Sequence, residues 1–245
     1  MKRWVPRLRT VSTQPSRTSA TAATTMSAEA WSMARLWHAG RSRPTVALTR
    51  RIVAGSRMGG MRTVVRAARP EDAPALGLLM VESWLAAHRE QIPDTAWQAR
   101  AAEWTPEASA HGWAALIADI AATDVPADVL LVAEDDSGAV VGLVHGVVRG
   151  VGDGPPAGEI SSLYVAHDQH RRGVGTSLLK AAAQALRDLD AVGLRLSVLT
   201  ANLPARAFYE ARGGQQVGPG TTDEDGHLLP TTLYAWSDGS LLGGD

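Results

Sequence analysis

Ser161-Ser162-Leu163-Tyr164-Val165-Ala166-His167-Asp168-Gln169-His170-Arg171-Arg172-Gly173-Val174-Gly175-Thr176-Ser177-Leu178-Leu179 is the stretch on which the fold turns. Its first residues read as a strand, the next as a short polar loop. A Gly-x-Gly then opens a helix whose apolar stripe is Val174, Leu178, Leu179, Ala182, Leu186 and Leu189. Glycines at a helix mouth let a ligand's phosphates approach backbone N–H groups that have no intrahelical partner, and the helix dipole favours their negative charge. Arg171 and Arg172 add positive charge at the same place. The pattern predicts a pyrophosphate cradle. Two familiar nucleotide motifs do not fit: the dinucleotide fingerprint needs a small residue where Leu178 stands, and the phosphate-binding loop of nucleotide hydrolases needs Gly-Lys-Ser/Thr.

Outward from the cradle the chain alternates strands and helices. Glu159 to Ala166 reads as a strand, Gly173 to Leu189 as a helix, Leu194 to Leu199 as a strand, Ala201 to Arg212 as a helix and Thr231 to Trp236 as a last strand. Upstream, Val129 to Glu134 and Ala139 to Arg149 flank the turn Asp135-Asp136-Ser137-Gly138 and predict a β-hairpin. Gly150 to Gly158, with four Gly and two Pro, reads as a loop. Thr63 to Ala67 predicts a short strand, and Pro70-Glu71-Asp72 supplies helix-start chemistry for a face of Leu76, Leu79, Met80 and Trp84. Trp97, Trp104 and Trp113 fall in further helical segments divided by Pro93 and Pro106.

Among 245 residues, 45% are apolar and 20% charged, which suits a globular core. No cysteine is present, which excludes disulfides, thiol nucleophiles and Cys-ligated metal. No uninterrupted apolar run approaches the ~20 residues of a membrane helix, so the expectation is a cytoplasmic protein without membrane partners. The formal net charge of −1 hides two unlike parts: residues 1–60 hold 11 Lys and Arg against Glu29 alone, while the rest holds 13 basic and 24 acidic residues. Those first residues carry 15 Ser and Thr and no sustained apolar period. They are expected to be a disordered basic extension (1–60) ahead of one domain (61–245). Met26, Met33, Met58 and Met61 are all candidate starts, and a transit peptide or a nucleic-acid arm are the competing readings of the leader.

At this point the sequence resembles the GNAT superfamily of acetyl-CoA-dependent N-acyltransferases, over about Arg62 to Ser237. The family's Gln/Arg-x-x-Gly-x-Gly/Ala reads here as His170-Arg171-Arg172-Gly173-Val174-Gly175, with His170 departing from the first position. Leu163-Tyr164-Val165 is similar to the end of the family's central strand, whose free backbone groups pair with the pantetheine arm. Asn202-Leu203-Pro204-Ala205-Arg206-Ala207-Phe208-Tyr209-Glu210 is similar to its Asn-x-x-Ala/Ser-x-x-Phe/Leu-Tyr segment, and Ser83 to Pro93 looks like its first-helix segment. The resemblance implies an α+β fold: a mixed, mostly antiparallel sheet, splayed between the strand ending at Val165 and the strand from Leu194 to Leu199, with four or five flanking helices. It implies acetyl-CoA as co-substrate, held by Leu163, Tyr164, Val165, His170, Arg171, Arg172, Gly173, Val174, Gly175, Thr176 and Asn202.

The reaction implied is attack of a neutral amine on a thioester carbonyl. A base must take a proton from an amine of pKa ~10.4, a donor must hold the oxyanion, and the leaving thiolate needs a proton. Tyr209, placed as the family's catalytic tyrosine, is the candidate acid; packing on an apolar helix face is its bland alternative. Glu159 is the candidate base, six residues before Val165, where even spacing would set both on one face of the strand. The oxyanion donor is expected at the backbone N–H around Val165, near the central strand's bulge. Asn202 could hold the cofactor's arm, cap a helix, or both. His167 and His170 have no third ligand at metal spacing, so no metal is expected. The tryptophans could line an acceptor pocket or belong to the core.

The expected activity is therefore acetyl transfer to a primary amine, on a small molecule or a peptide. A non-catalytic acyl-CoA sensor or regulatory module is the alternative, and it would keep the loop without needing Tyr209. A nucleic-acid binder would act through residues 1–60 and is not the expected partner class. A homodimer is left open.

Overall fold

The computed structural model describes residues 54–58, 61–124, 126–151, 154–224 and 226–237. Residues 1–53 of the expected extension lie outside the described residues. Among the described residues the first elements form a hairpin, β1 (Ala54–Met58) and β2 (Met61–Ala67), so the sheet takes in a strand ahead of the expected boundary at Met61.

Three helices follow: α1 (Ala73–His88), α2 (Asp94–Glu103) and α3 (Pro106–Ala122). The start of α1 is tied down electrostatically. Asp72, buried in the turn before it, accepts from the Arg69 N–H at 2.7 Å and from two nitrogens of Arg66 at 2.7 and 2.9 Å. Arg66 also donates to Glu134 at 2.6 Å, which joins β2 and the helix start to the strand that ends at Glu134. Thr105 caps α3 by accepting from the Ala108 N–H at 3.2 Å, and Pro106 fills the first helical position, where no N–H is needed.

The remaining elements are β3 (Asp128–Glu134), β4 (Val140–Val151), β5 (Gly154–Val165), α4 (Val174–Asp188), β6 (Leu194–Leu199), α5 (Leu203–Glu210), β7 (Gln215–Glu224) and β8 (His227–Trp236). They complete one eight-stranded sheet in the order β1-β2-β3-β4-β5-β6-β8-β7. All neighbours are antiparallel except β5 and β6. That parallel pair is joined only over Gly158–Ile160 and Leu194–Leu196, and beyond it the strands part. The expected α+β architecture, its mixed and mostly antiparallel sheet, the splay and the five helices are all present.

Between its charged ends strand β3 is apolar because both of its faces are covered. Val129, Leu131 and Ala133 pack with α4, while Leu130 and Val132 pack with α1 and α3. Gly142 and Gly146 seat α4 against the sheet: a Cβ on either would lie 2.9 Å from a leucine methyl of that helix.

Two expectations need correction. The predicted loop Gly150 to Gly158 is largely strand, because β4 and β5 continue as a long hairpin with Arg149 opposite Ala157 and Val151 opposite Gly154. Gly218-Pro219-Gly220 lies in β7, a strand the sequence pattern did not announce. As an edge strand β7 tolerates a residue without an N–H, and its pairing with β8 supplies the order that local propensity lacks.

Candidate active site

The loop between β5 and α4 is held in an unusual backbone conformation. Arg171 has φ 61° and Gly173 φ 81°, both in the left-handed region. A glycine adopts it freely, whereas an arginine there is strained by about 1–3 kcal/mol. Left-handed residues in a loop of this kind can direct successive N–H groups into a concavity suited to an anion. His170 stitches the loop to the strand: a carbonyl oxygen can only accept, so its Nε2–H donates to the Val165 oxygen at 2.9 Å. The His167 ring lies 5.1 Å from that of His170. Among the described residues no group of three or more His, Asp or Glu is arranged to hold a metal.

At the first turn of α4, Val174 is buried and anchors the helix, while Gly175 faces α5. A Cβ on Gly175 would come within 3.3 Å of the Phe208 ring, so only glycine lets the two helices meet without pushing that ring aside. Thr176, one position on, has its hydroxyl oxygen bonded by Arg212 Nε–H at 2.7 Å. Arg212 was not singled out in the sequence. The signal that could have found it is its spacing four residues after Phe208, about one helical turn on and just past the end of α5.

The carboxy-terminal half of β5 divides its side chains between the two faces of the sheet. Leu163 and Val165 pack with Ile160 in the α4 cluster, and Tyr164 packs on the opposite side near Trp84 and Trp104. The strand is bulged at Ser161: His145 pairs with Ser162, but Gly146 pairs with Ile160. This extra residue shifts the alternation, so Glu159 faces away from Ile160 and Val165. The expectation that Glu159 and Val165 share a face is thereby overturned, since the period of two does not survive a bulge. The bulge also lies four residues ahead of Val165 rather than beside it.

Glu159 is buried and clamped. Arg149 Nε reaches its Oε1 at 3.4 Å and Arg195 Nη2 its Oε2 at 3.2 Å, so both carboxylate oxygens are engaged and β4, β5 and β6 are tied where the parallel pairing begins.

Tyr209 is 8% exposed, in contact with the rings of Phe208, Tyr234 and Trp236 at centroid distances of 5.2, 6.0 and 6.1 Å. Burial raises its pKa well above the ordinary phenol value, so the hydroxyl keeps its proton throughout the neutral range. Among the described residues that hydroxyl has no hydrogen-bond partner. The Tyr164 phenol is likewise pushed up, by burial first and then by the proximity of Tyr209 and Glu224. Two phenols from opposite faces of the sheet thus come within electrostatic reach of each other. Asn202 Oδ1 accepts from the Ala205 N–H at 3.1 Å and caps α5, with Pro204 in the first turn. The structure therefore gathers the loop, the end of β5 and α5 around the place where β5 and β6 part, and it holds Glu159 apart in its own ion-pair cluster.

Of the tryptophans, Trp84 is core at 2% exposure, edge-on to Trp104 at 5.7 Å. Trp97 donates its indole N–H to the Leu85 oxygen at 3.0 Å, and Trp113 meets His145 edge-on at 6.2 Å. Near Trp84 and Trp104 lies a buried ion pair missed in the sequence, Arg100 with Glu224 at 3.3 Å, whose partners are 124 residues apart.

A splayed mixed sheet with a glycine-opened helix at the splay defines the class of acyl-CoA-dependent acetyltransferases. The sequence profile of the acetyltransferase (GNAT) family matches residues 89–214, and the chain belongs to that family. No curated protein matches the sequence. Solved structures share the fold. RimJ of Mycobacterium smegmatis in complex with CoA-disulfide has a TM-score of 0.58 at 19% identity, covering 77% of this chain and 88% of that one. PaiA N-acetyltransferase of Thermoplasma acidophilum in complex with coenzyme A has 0.55 at 17%, covering 71% and 99%. The ribosomal-protein-alanine N-acetyltransferase of Brucella melitensis has 0.54 at 20%, covering 71% and 98%.

Proposed function

We propose that the protein is an N-acetyltransferase that moves the acetyl group of acetyl-CoA to a primary amine by direct attack. The residues present fit that co-substrate. Arg171 and Gly173 hold the loop in the left-handed backbone conformation, Gly175 lets Phe208 of α5 lie against the first turn of α4, and the edge of β5 beyond Ile160 is released from β6. Acetyl-CoA supplies the activated acyl group. The amine nitrogen forms the new C–N bond, the C–S bond breaks, and the amine's surplus proton leaves to water.

Tyr209 returns a proton to the departing sulfur. The observation that carries this reading is the hydroxyl of this buried tyrosine, kept protonated by its surroundings and not consumed by any hydrogen bond among the described residues. Glu159, with both oxygens held by arginines, acts as a strut between strands, and the amine's proton is taken by water. Relatives of this fold in complex with CoA support the co-substrate.

Free thiol released from acetyl-CoA, measured across a panel of small-molecule and peptide amines, tests the activity. Tyr209→Phe keeps the packed ring and removes the donor, so kcat is expected to fall ~10²–10⁴-fold with little change in CoA affinity. Full kcat in that variant would assign the acid to another group. A wild-type protein that binds CoA but turns over no amine would favour the sensor.

A further inference from the structure

Two ion-pair clusters of this protein have opposite charge balances. Arg66 serves two carboxylates, Asp72 and Glu134, through contacts of 2.6, 2.7 and 2.9 Å. At the closed end of the splay the ratio is reversed: Arg149 and Arg195 share the single carboxylate of Glu159, at 3.4 and 3.2 Å. Among the described residues neither of these arginines meets a second carboxylate. Both contacts exceed the ~2.7–2.9 Å of a tight charge-assisted hydrogen bond, and the cluster carries an excess of positive charge.

Unsatisfied donors mark the same place. Arg195 Nε and Ser197 Oγ are shielded from solvent and have no hydrogen-bond partner among the described residues. Leaving such donors unpaired is costly, and those kept in a native fold call for a water or a ligand. Leu194, Leu196 and Val198 pack with α4, so alternation sets Arg195 and Ser197 on the opposite face of β6, the side of α1, α2 and α3. Glu159, directly across from Arg195, shares that face. The pairing of β5 with β6 ends at Leu196, so Ser197 is the first residue of β6 with no β5 neighbour. Further along, Leu199 and Tyr164 pack around Trp84. The side chains of Arg149 and Arg195 are 47% and 37% exposed, so a ligand reaches the guanidinium groups without opening the fold.

We propose that Arg149 and Arg195 form a receptor for a carboxylate on the acceptor, which makes the acceptor class an amine that also carries a carboxylate group. The proposal rests on the acetyl-transfer reading above and narrows its acceptor. Glu159 is a positioning residue here: it aims both guanidinium groups and leaves further N–H bonds of each for the ligand. Helix α4, whose mouth that reading gives to the phosphates of acetyl-CoA, lies on the other face of the sheet, so the anion taken here belongs to the other substrate. Such an acceptor brings the negative charge that the cluster lacks.

Thiol release by the full chain, measured with matched amines, tests it: α-amino acids against their carboxamides, and ω-amino acids against alkylamines of the same length, each corrected for its fraction of neutral amine. Wild-type kcat/KM is expected to be about tenfold higher for the carboxylate-bearing member. Arg195→Gln should erase most of that preference by raising KM about tenfold more for the carboxylate-bearing amine than for its counterpart, with little change in kcat. A structural role alone would cost both amines equally, and that result, or a wild type without the preference, overturns the receptor while leaving acetyl transfer intact. Should Arg195→Gln fail to fold, Arg149→Gln removes the more exposed guanidinium, with an expected loss of preference of about threefold and the same criterion. A wild-type protein that acetylates no amine overturns this proposal together with the reading beneath it.

Discussion

The two faces of the sheet are built by different physics. On one, α4 lies close to the strands through Leu178, Leu179, Leu186 and a run of alanines, over glycines that leave space for them, and the cluster is almost wholly apolar. On the other, α1, α2 and α3 cover the sheet with aromatic rings, with charges that must be paired, Arg66 with Asp72 and Glu134 and Arg100 with Glu224, and with a hydrogen bond between His145 and Asp128 at 2.9 Å. Close apolar packing suits the face that carries the proposed phosphate loop. Paired charges on the other face set relative positions of distant segments, because each partner is costly to bury alone.

Substituting glycines on the two faces separates these modes. A Cβ on Gly77 of α1 would lie 2.3 Å from the Pro106 oxygen and 2.7 Å from the Ala110 nitrogen, both backbone atoms that cannot rotate aside. On Gly146 it would meet side chains alone, the nearest a Leu186 methyl at 2.9 Å, which can. Gly77→Ala is expected to destabilise by about 3 kcal/mol and Gly146→Ala by about 1 kcal/mol in denaturant unfolding. Equal costs would contradict the difference between the faces.

Acid should act mainly through the charged face. Burial favours the neutral form of Asp72, but the Arg66 guanidinium and the Arg69 N–H outweigh it and hold the carboxyl below its ordinary pKa. A depressed carboxyl contributes stability present above the unfolded pKa of ~3.9 and lost as pH falls through the folded one. His88, on the same side, is held neutral by burial, while its Nδ1–H donates to the Trp84 oxygen at 2.8 Å. Its lowered pKa makes the unfolded chain bind more protons below about pH 6.5, so it too loses stability on acidification. Asp72→Asn should cost about 2 kcal/mol at pH 7, less than a fully broken buried pair because Arg66 keeps Glu134. Thermal midpoints from pH 3 to 7 should show a shallower acid limb in that variant; an unchanged limb would remove Asp72 from the account.

At the cradle, Gly175→Val tests the functional use of the rigid face. The larger side chain meets Phe208 and intrudes on the helix mouth, so CoA affinity should drop beyond tenfold while the fold is kept. The smallest effect is expected from removing residues 1–53, which should leave the thermal midpoint within about 1 °C, since a segment poor in apolar period contributes little core. A large drop would assign that segment a packed role.

Much of the fold was legible because it rests on local pattern. The stripe of α4, the Pro70-Glu71-Asp72 start, the Asp135 to Gly138 turn and β6 each announce themselves within a dozen residues. The loop from His170 to Thr176 was legible for the same reason. Three features were not. Strand β7 carries Gly-Pro-Gly and is ordered only by β8, the bulge at Ser161 is a property of pairing with β4, and the Arg100–Glu224 pair joins residues 124 positions apart.

Sequence alone thus determined the identity of most elements, the glycine-opened helix mouth and the position of Tyr209, because periodicity, turn chemistry and motif spacing are short-range quantities. Only the tertiary structure decided that Glu159 is clamped by Arg149 and Arg195, that it faces away from Val165, and that Arg212 stands unpaired by any described carboxylate beside Thr176. Those facts depend on strand register and helix packing, where one inserted residue reverses a face and where a charge's partner can come from anywhere in the chain.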